Sequence, residues 1–218
     1  MSNVTIIGGH GKVALLLAPL LTERGDTVTS VFRNPDHTAE VAQTGANTVV
    51  ADVEQLSVEE LAELLRGSDA VVWSAGAGGG NPQRTWAVDR DAAIRTIDAA
   101  EQAGVRRFVM VSFVGAGQDH GVPEDHSFYP YAQAKADADD HLRASGLDWT
   151  IVAPGALTLD EPNGSIRLVT ARSEDNKTSR ANVARVIVAA LDEPATVRQM
   201  IEFADGDTPI AEVLAGLA

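Results

Sequence analysis

Short apolar segments rich in β-branched residues alternate with longer amphipathic segments along this chain, and the alternation leaves few folds open to it. The strand candidates are residues 4–7, 27–32, 47–51, 70–73, 107–111, 149–153 and 200–203. The helix candidates are residues 13–24, 36–44, 58–65, 85–103, 131–144 and 182–191. Several strand candidates are continuously hydrophobic, as in parallel strands that are buried on both faces. The pattern predicts an α/β fold with one doubly wound parallel sheet and helices on both of its faces.

The length of 218 residues suits a single domain of this kind. The composition, with 44% hydrophobic and 22% charged residues, is typical of a folded domain. We find no repeat and no linker that would divide the chain. We therefore predict one domain over residues 1–218, with a small substrate-side region from about 154 to 218.

The formal net charge is −14, from 17 basic and 31 acidic residues. A surface of this charge repels phosphate backbones, which argues against nucleic acid as a partner. The chain has no cysteine, so disulfides, thiolate catalysis and zinc–thiolate sites are excluded. We see neither an apolar run of membrane-spanning length nor a secretory leader before Val4. We expect a cytoplasmic protein with no membrane partner.

A glycine-rich loop follows the first strand candidate directly. Residues 8–14 read GGHGKVA, a G-x-x-G-x-x-A pattern that opens a helix. A dinucleotide pyrophosphate needs a tight turn, a close approach of the backbone and free N–H groups at the start of a helix. The pattern in this position predicts a Rossmann-type cofactor site, although an ordinary glycine turn has the same composition. The residues expected to line the phosphate site are Gly8, His10, Gly11, Lys12 and Val13.

The end of the second strand candidate indicates which dinucleotide is bound. NAD sites usually carry an acid there, about 20 residues beyond the glycines, which holds the ribose hydroxyls. Here Arg33 occupies that place with no acid beside it. A guanidinium can pair with a 2′-phosphate and stack on adenine. We therefore predict NADP(H) in preference to NAD(H), the alternative being that Arg33 is simply exposed to solvent.

The loops after the third and fourth strand candidates add further cofactor contacts. Asp52 and Val53 follow the third, where Asp52 could lie near the adenine amine or else start a helix. Ala75 and Gly76 follow the fourth, and glycines stand at positions 76, 78, 79 and 80. Such a stretch lets the backbone lie against a flat ligand, or is a flexible loop. We predict that Asp52, Val53, Ala75 and Gly76 contact the cofactor.

A candidate catalytic group lies at the end of the fifth strand candidate and on the helix after it. Ser112 ends the strand, and Tyr131 and Lys135 share one helical face at i and i+4. Reduction of a carbonyl by hydride needs a proton at the developing alkoxide, and a tyrosine of ordinary pKa, about 10, is a poor acid at neutral pH. A nearby ammonium lowers that pKa. We predict that Tyr131 donates the proton, that Lys135 activates it and binds the nicotinamide ribose, and that Ser112 bonds the substrate oxygen.

With its motifs in this order the chain resembles the atypical short-chain dehydrogenases/reductases, the NAD(P)-binding group that includes NmrA-like proteins and biliverdin reductase B-like flavin reductases. The segments that carry the resemblance are residues 8–14, 32–33, 51–52, 111–112, 131–135, 147–158 and 179–184. The resemblance implies a Rossmann fold, NADP(H) as the common cofactor, and a turn of Pro154 and Gly155 beside the nicotinamide. Ala153 stands where the family often has arginine, and His10 where it often has a small residue.

Two functions are compatible with these features. The favoured one is an NADP(H)-dependent reductase that transfers hydride to a small carbonyl, quinone or flavin-like acceptor. The alternative is a non-catalytic NADP(H)-binding redox sensor of the NmrA-like type, which would act on a protein partner. Two Asp-His pairs, at positions 119–120 and 125–126, match no common metal-ligand spacing, so we predict no metal site and interpret their loop as a substrate-side lid or a plain acidic loop.

Overall fold

The computed structural model describes residues 1–78 and 81–217, in which strands and helices alternate. The strands are β1 (Asn3–Ile7), β2 (Thr27–Phe32), β3 (Asn47–Val50), β4 (Ala70–Trp73), β5 (Arg107–Val111), β6 (Asp148–Pro154), β7 (Ala156–Thr158), β8 (Ser165–Leu168), β9 (Lys177–Ser179), β10 (Gln199–Asp205) and β11 (Thr208–Pro209). The α-helices are α1 (Ala14–Arg24), α2 (Thr38–Ala42), α3 (Val58–Leu65), α4 (Pro82–Thr85), α5 (Ala93–Gln102), α6 (Tyr129–Ala144), α7 (Arg180–Asp192) and α8 (Ile210–Ala215). A π-helical stretch, Trp86–Ala92, joins α4 to α5.

Nine strands form one sheet in the order β11-β8-β10-β6-β5-β4-β1-β2-β3. All neighbours from β10 to β3 pair in parallel, whereas β8 pairs antiparallel with both β10 and β11. The chain leaves β1 in one direction through β2 and β3, and in the other through β4, β5, β6 and β10. The order therefore reverses between β1 and β4, and a doubly wound sheet binds ligands at this point, beyond the carboxyl ends of its strands.

The two faces of the sheet carry separate hydrophobic cores. Helices α1, α7 and α8 cover one face, where Leu17 and Val72 are fully buried. Helices α3, α5 and α6 cover the other, where Leu61, Trp73 and Phe108 are fully buried. Successive side chains of a strand point to opposite faces, which is why Val72 and Trp73 belong to different cores. With both faces covered, the loops beyond the strand ends are left to form the site.

The predicted doubly wound α/β fold is confirmed. The differences are shifted element ends, four short strands and helix α8, which was not predicted. Helix α3 begins with a capping box, in which the Ser57 hydroxyl accepts the Glu60 N–H at 3.2 Å and the Glu60 carboxylate accepts the Ser57 N–H at 2.9 Å. The helix predicted over 85–103 begins at Pro82, because the Asn81 side chain accepts the Arg84 N–H and caps it. Glycines 79 and 80, counted in the predicted glycine stretch, lie outside the described residues.

Four short strands were not predicted, namely β7, β8, β9 and β11. Each has two to four residues, too few to show a period of two. Strands β7 and β9 form a separate parallel pair, and β8 and β11 extend the main sheet beyond β10. The segment after residue 154 thus completes the edge of the main sheet as well as bordering the site.

Within the described part of the chain, no helix combines the length and the apolar character that a membrane span requires.

Candidate functional site

The glycine loop joins β1 to α1 and is packed too tightly for side chains. Gly8 has a φ of +89°, and a Cβ there would lie 2.5 Å from the Ala75 backbone. A Cβ on Gly11 would lie 3.1 Å from the Gly8 carbonyl oxygen. The Leu15 N–H donates to the Gly11 carbonyl at 2.9 Å and closes the first helical turn. The N–H groups of residues 12–14 precede this turn. These groups are available to an anion at the N-terminus of α1.

A cavity of about 280 Å³, which we call the Arg33 cavity, lies beside this loop at the carboxyl ends of β1 to β4. Most of the residues predicted to contact the cofactor line it. The predicted residues that line it are Gly8, His10, Gly11, Arg33, Asp52, Val53, Ala75 and Gly76.

Arg33 is paired with an acid, contrary to the expectation that none stands beside it. Its Nη1 donates to Glu54 Oε1 at 2.8 Å, and Arg84 Nη2 donates to the same oxygen at 3.0 Å. The expectation was wrong because the turn after β3 brings Glu54 across the end of β2, a long-range contact with no local sequence signal. Two guanidiniums share one carboxylate, so the cluster keeps a positive charge, and the half-exposed Arg33 can turn toward a phosphate.

His10 lies against helix α2 rather than near the predicted catalytic residues. Its Nε2 is 2.8 Å from Glu40 Oε2, and its ring stacks on that of His37 with centroids 3.5 Å apart. His10 and His37 both line the Arg33 cavity. The bulky side chain at this position is thus accommodated by α2, and the glycine loop beside it keeps its tight turn.

Asp52 shapes the turn after β3. Its Oδ1 accepts the Glu54 N–H at 3.1 Å, which positions Glu54 for its contact with Arg33. The alternative that Asp52 starts a helix is wrong, because Ser57 caps α3 instead.

A second cavity, of about 840 Å³, continues from the first toward helix α6, and we call it the Lys135 cavity. The two cavities share Gly11, Ala75 and Gly76, so they form one cleft across the point where the strand order reverses. The Lys135 cavity is also lined by Lys12, Val13, Tyr131 and Lys135, all predicted site residues.

Lys135 is almost completely buried, with 1% of its surface exposed. Its Nζ donates to the Val111 carbonyl at 2.6 Å and contacts Met110 Sδ at 3.5 Å. The ammonium lies near two buried carboxyls, Asp89 and Asp139, and its charge opposes the rise that burial causes in the pKa of each. Lys135 thus sets the electrostatics of the inner end of the cleft.

Ser112 faces away from the cleft, which contradicts its predicted contact with a substrate oxygen. Its hydroxyl donates to Asp139 Oδ2 at 2.5 Å, and the residue is 3% exposed. The prediction was wrong because α6 carries Asp139 one turn beyond Lys135, where its carboxylate competes for the serine hydroxyl. Asp139 is fully buried and its Oδ1 has no partner among the described residues. Burial raises the pKa of this carboxyl.

Tyr131 stands at the wall of the Lys135 cavity, as part of a cluster with Phe113 and Phe128. Burial raises the pKa of its hydroxyl, and the nearby Asp89 and Asp139 raise it further. The expected lowering of this pKa by Lys135 is not found. A raised pKa makes the phenol a weaker acid, so the described residues do not supply the activation of Tyr131 that the sequence predicted.

Asp89 is a site residue that the sequence did not reveal. It is 2% exposed, lines the Lys135 cavity, and accepts the Ala77 N–H at 3.0 Å. Burial raises its pKa. It lies in the π-helical stretch, where the widened turn redirects side chains, and such stretches are often found at functional sites. An aspartate in an otherwise amphipathic helix carries no local signal of this placement.

Pro154 and Gly155 line a third cavity, of about 640 Å³, which we call the Arg172 cavity. A side chain on Gly155 would overlap the Asn176 carbonyl, so glycine is required there. The Gly155 N–H donates to the Phe203 carbonyl at 2.9 Å, which ties the turn to β10. The turn lines this neighbouring cavity and not the Lys135 cavity, and Tyr131 and Phe128 line both. Its place beside the nicotinamide, which the family resemblance implied, stays a prediction.

The loop between β5 and α6 covers both of these cavities. His120 and Val122 line the Arg172 cavity, and Glu124 and His126 line the Lys135 cavity. This position is the one expected of a substrate-side lid. Over residues 1–78 and 81–217, no cluster of three or more His, Cys, Asp or Glu side chains could hold a metal ion.

The residues of this cleft fit a dinucleotide. The glycine loop leaves room for a backbone-bound pyrophosphate, and the Arg33 and Lys135 cavities extend from it in opposite directions. A family model described as NAD(P)H-binding matches residues 8–194. The chain belongs to this NAD(P)H-binding family. The resemblance to the atypical short-chain dehydrogenases/reductases is thereby confirmed.

Curated relatives match this member of the NAD(P)H-binding family over nearly its whole length. The Bacillus subtilis protein YhfK, named an uncharacterized sugar epimerase, is 36% identical over 97% of this chain and 98% of its own. The protein YMR090W of Saccharomyces cerevisiae is 34% identical over 99% of this chain and 98% of its own.

Solved structures agree with the fold. A candidate NAD-dependent epimerase/dehydratase from Bacillus halodurans superposes with a TM-score of 0.89 at 35% identity, covering 98% of this chain and 99% of its own. The oxidoreductase ylbE from Lactococcus lactis gives a TM-score of 0.85 at 28% identity, covering 97% of this chain and 94% of its own.

Proposed function

We propose that this protein is an NADP(H)-dependent oxidoreductase that transfers hydride to a small carbonyl, quinone or flavin-like acceptor. One observation carries the proposal: Tyr131 and Lys135 line the same cleft as the glycine loop and the N-terminus of α1. The pair therefore lies where the nicotinamide end of a dinucleotide held by that loop would come to rest. We further propose that the protein acts in the cytoplasm.

Each residue of the cleft has a proposed role that follows from its position. Gly8 and Gly11 give the pyrophosphate access to the backbone, and the start of α1 supplies N–H groups to it. When bound, the reduced nicotinamide supplies the hydride. Tyr131 would give its phenolic proton to the oxygen of the reduced acceptor, so that hydride and proton together make an alcohol from a carbonyl. Lys135 would position the ribose and stabilise the tyrosinate that remains.

Asp139 and Ser112 would position Lys135, whereas the sequence predicted that Ser112 bonds the substrate oxygen. The carboxylate holds the serine hydroxyl and lies one turn from Lys135 on α6. Both groups would keep the ammonium in place without touching the substrate. The direct contacts to the acceptor are then left to Tyr131 and to the aromatic residues beside it.

The choice of NADP(H) over NAD(H) rests on the positive cluster of Arg33 and Arg84 around Glu54. We expect Arg33→Ala to weaken NADP(H) binding about tenfold, because a charge-assisted contact to the 2′-phosphate is lost. NAD(H) binding should change little. Arg66→Ala is the matched control, since Arg66 is an exposed arginine paired only with Glu63 on α3. Equal affinities of the wild type for both cofactors, measured by titration, would refute the preference.

The rival is a non-catalytic sensor that reports the NADP(H) redox state to a protein partner. The names of the relatives raise a third case, an epimerase, which would return the hydride to its own substrate. A panel of quinones, flavins and aldehydes separates these functions, because only a reductase oxidises NADPH stoichiometrically with the acceptor. No oxidation across the panel, with a clear difference in affinity between NADP⁺ and NADPH, would favour the sensor, since only differential affinity shifts a conformational equilibrium.

A further inference from the structure

Two arginines converge on one carboxylate oxygen inside the Arg33 cavity. Arg33 Nη1 and Arg84 Nη2 donate to Glu54 Oε1 at 2.8 and 3.0 Å, and all three residues line the cavity. Guanidinium N–H groups are also the donors with which proteins bind the oxygens of a phosphate. The Glu54 carboxylate therefore occupies the donors that the proposed site would offer to the 2′-phosphate of NADP(H).

The main chain around Glu54 is held independently of these contacts. Asp52 Oδ1 accepts the Glu54 N–H at 3.1 Å, and Arg95 Nη2 donates to the Val53 and Glu54 carbonyls at 3.2 and 3.1 Å. In the part of the chain that the structure describes, the Glu54 carboxylate forms hydrogen bonds with the two guanidiniums alone. Breaking one of these ion pairs therefore leaves the turn after β3 in place, with the carboxylate still beside the cavity.

The two arginines differ in how firmly they are held. Arg84 Nη1 also donates to the Ala77 carbonyl at 3.3 Å, whereas the Arg33 guanidinium bonds Glu54 alone among the described residues. The Arg33 side chain is 51% exposed and the Arg84 side chain 37%. An ion pair as exposed as that of Arg33 is weak, so this arginine can leave it for a ligand while Arg84 stays and balances the charge of Glu54.

The charges of the cavity add to this competition. Apart from two histidines, the ionisable residues that line it are two arginines, Arg33 and Arg84, and two acids, Asp52 and Glu54. The cations are thus matched by carboxylates, and the overall charge of −14 adds no attraction for a phosphate. A bound 2′-phosphate has to displace the Glu54 carboxylate from Arg33 and then remains near it, and both effects lower the affinity for the phosphate.

We propose that Glu54 competes with the 2′-phosphate for Arg33 and thereby limits the preference of this protein for NADP(H). NADP(H) would open the Arg33–Glu54 pair, and the phosphate would take the place of the carboxylate on the guanidinium. NAD(H) has no such phosphate and would bind with the pair closed. Glu54 is then a specificity-determining residue that acts against the cofactor that Arg33 selects. The inference rests on the proposed function and names the residue that sets its cofactor selectivity.

The substitution Glu54→Gln tests this competition, because it removes the charge and keeps the length of the side chain. We expect Glu54→Gln to bind NADP⁺ about fivefold more tightly than the wild type, since the phosphate no longer has to break an ion pair. The Kd of NAD⁺ should be unchanged. Glu63→Gln is the control, because it removes the same charge from an exposed carboxylate of α3 that is paired with Arg66. Isothermal titration measures each Kd.

Direct competition for Arg33 is separated from simple charge repulsion by making Glu54→Gln in an Arg33→Ala background. There the gain in NADP⁺ affinity should fall below about twofold, because the contested guanidinium is absent. An undiminished gain would overturn the proposal. Unchanged or weaker binding of NADP⁺ to Glu54→Gln would overturn it too, since the carboxylate would then serve only to position the arginines. Weaker binding of NAD⁺ would also contradict it, because Glu54 would then hold the ribose hydroxyls.

Adenosine 2′,5′-bisphosphate and AMP make the result independent of turnover, because they carry the adenosine half of each cofactor and no nicotinamide. Glu54→Gln should tighten the binding of the bisphosphate about fivefold and leave that of AMP unchanged. If this holds while no acceptor oxidises NADPH, the assignment of Glu54 stands and the reductase proposal fails. If neither protein binds the bisphosphate more tightly than AMP, the assignment is overturned, because Arg33 then selects no phosphate.

Discussion

Strand β5 has buried polar groups at both ends, and the two groups differ in how well they are satisfied. At its amino end, Arg107 donates to the carbonyls of Asp148 and Ala190, at 2.6 and 2.7 Å, and to the hydroxyls of Thr150 and Thr196, at 2.7 and 3.0 Å. Burial lowers the pKa of Arg107 to about 10, which still leaves it charged at neutral pH.

At the carboxyl end of β5, the polar groups outnumber their partners. Asp89 and Asp139 are both buried carboxyls with raised pKa values, and they surround one ammonium, that of Lys135. Asp139 Oδ1 has no hydrogen-bond partner in the described part of the chain. Burial of polar groups without full pairing costs stability. The Arg107 cluster therefore stabilises the fold. The Lys135 cluster lowers the stability of the fold, and its position at the cleft indicates a functional reason for keeping it.

The largest expected effect falls on the amino-end cluster. Arg107→Met should lower the free energy of unfolding by about 3 kcal/mol, because it removes four hydrogen bonds that one guanidinium makes to β6, α7 and Thr196. The adjacent Arg106→Met is the control. Arg106 is 85% exposed and paired with Asp148, so its loss should cost well under about 1 kcal/mol. Urea denaturation measures both, and the Kd of NADPH should be unchanged in each variant. Equal destabilisation by the two substitutions would remove the distinction between the clusters.

At the carboxyl end, Lys135→Met should act on binding more than on folding. It keeps the length of the side chain and removes the charge, and we expect the Kd of NADP(H) to rise about tenfold with loss of turnover. Lys177→Met is the control, because Lys177 is an exposed lysine of β9 that lines neither the Arg33 cavity nor the Lys135 cavity. Isothermal titration distinguishes them, and an unchanged Kd in Lys135→Met would show that the buried ammonium is only structural.

The smallest expected effect concerns the pH dependence of stability. The pKa of Asp139 is raised in the folded state, so the folded protein binds its proton more tightly than the unfolded chain, where the pKa is about 4. Its contribution therefore lowers the free energy of unfolding as pH rises above about 4. Asp139→Asn should remove this decrease in the free energy of unfolding, and should therefore stabilise the protein more at pH 7 than at pH 4. The exposed Asp140→Asn is the control, and a parallel effect of both variants at the two pH values would contradict the account.

The sequence predicted the parts of this molecule that depend on local pattern. Alternating apolar segments gave the seven parallel strands, and the glycine spacing located the loop after β1. The pairing of Arg33 with Glu54 and of Ser112 with Asp139 could not be predicted, because each partner comes from a different loop or helix. Asp89 escaped notice for a related reason, since its inward position depends on a π-helical stretch. The Tyr131 and Lys135 pair was visible only because both residues lie on one helical face.

The central claim is that the incompletely paired cluster serves proton transfer through Tyr131. The most direct test is the rate of NADPH oxidation by wild type and Tyr131→Phe with an acceptor found in the panel, under single-turnover conditions and with the Kd of NADPH measured for both. The account predicts that Tyr131→Phe lowers the rate at least about 100-fold and leaves cofactor binding and the free energy of unfolding unchanged. An equal rate in the two proteins, with an acceptor whose reduction needs a proton on oxygen, would contradict it.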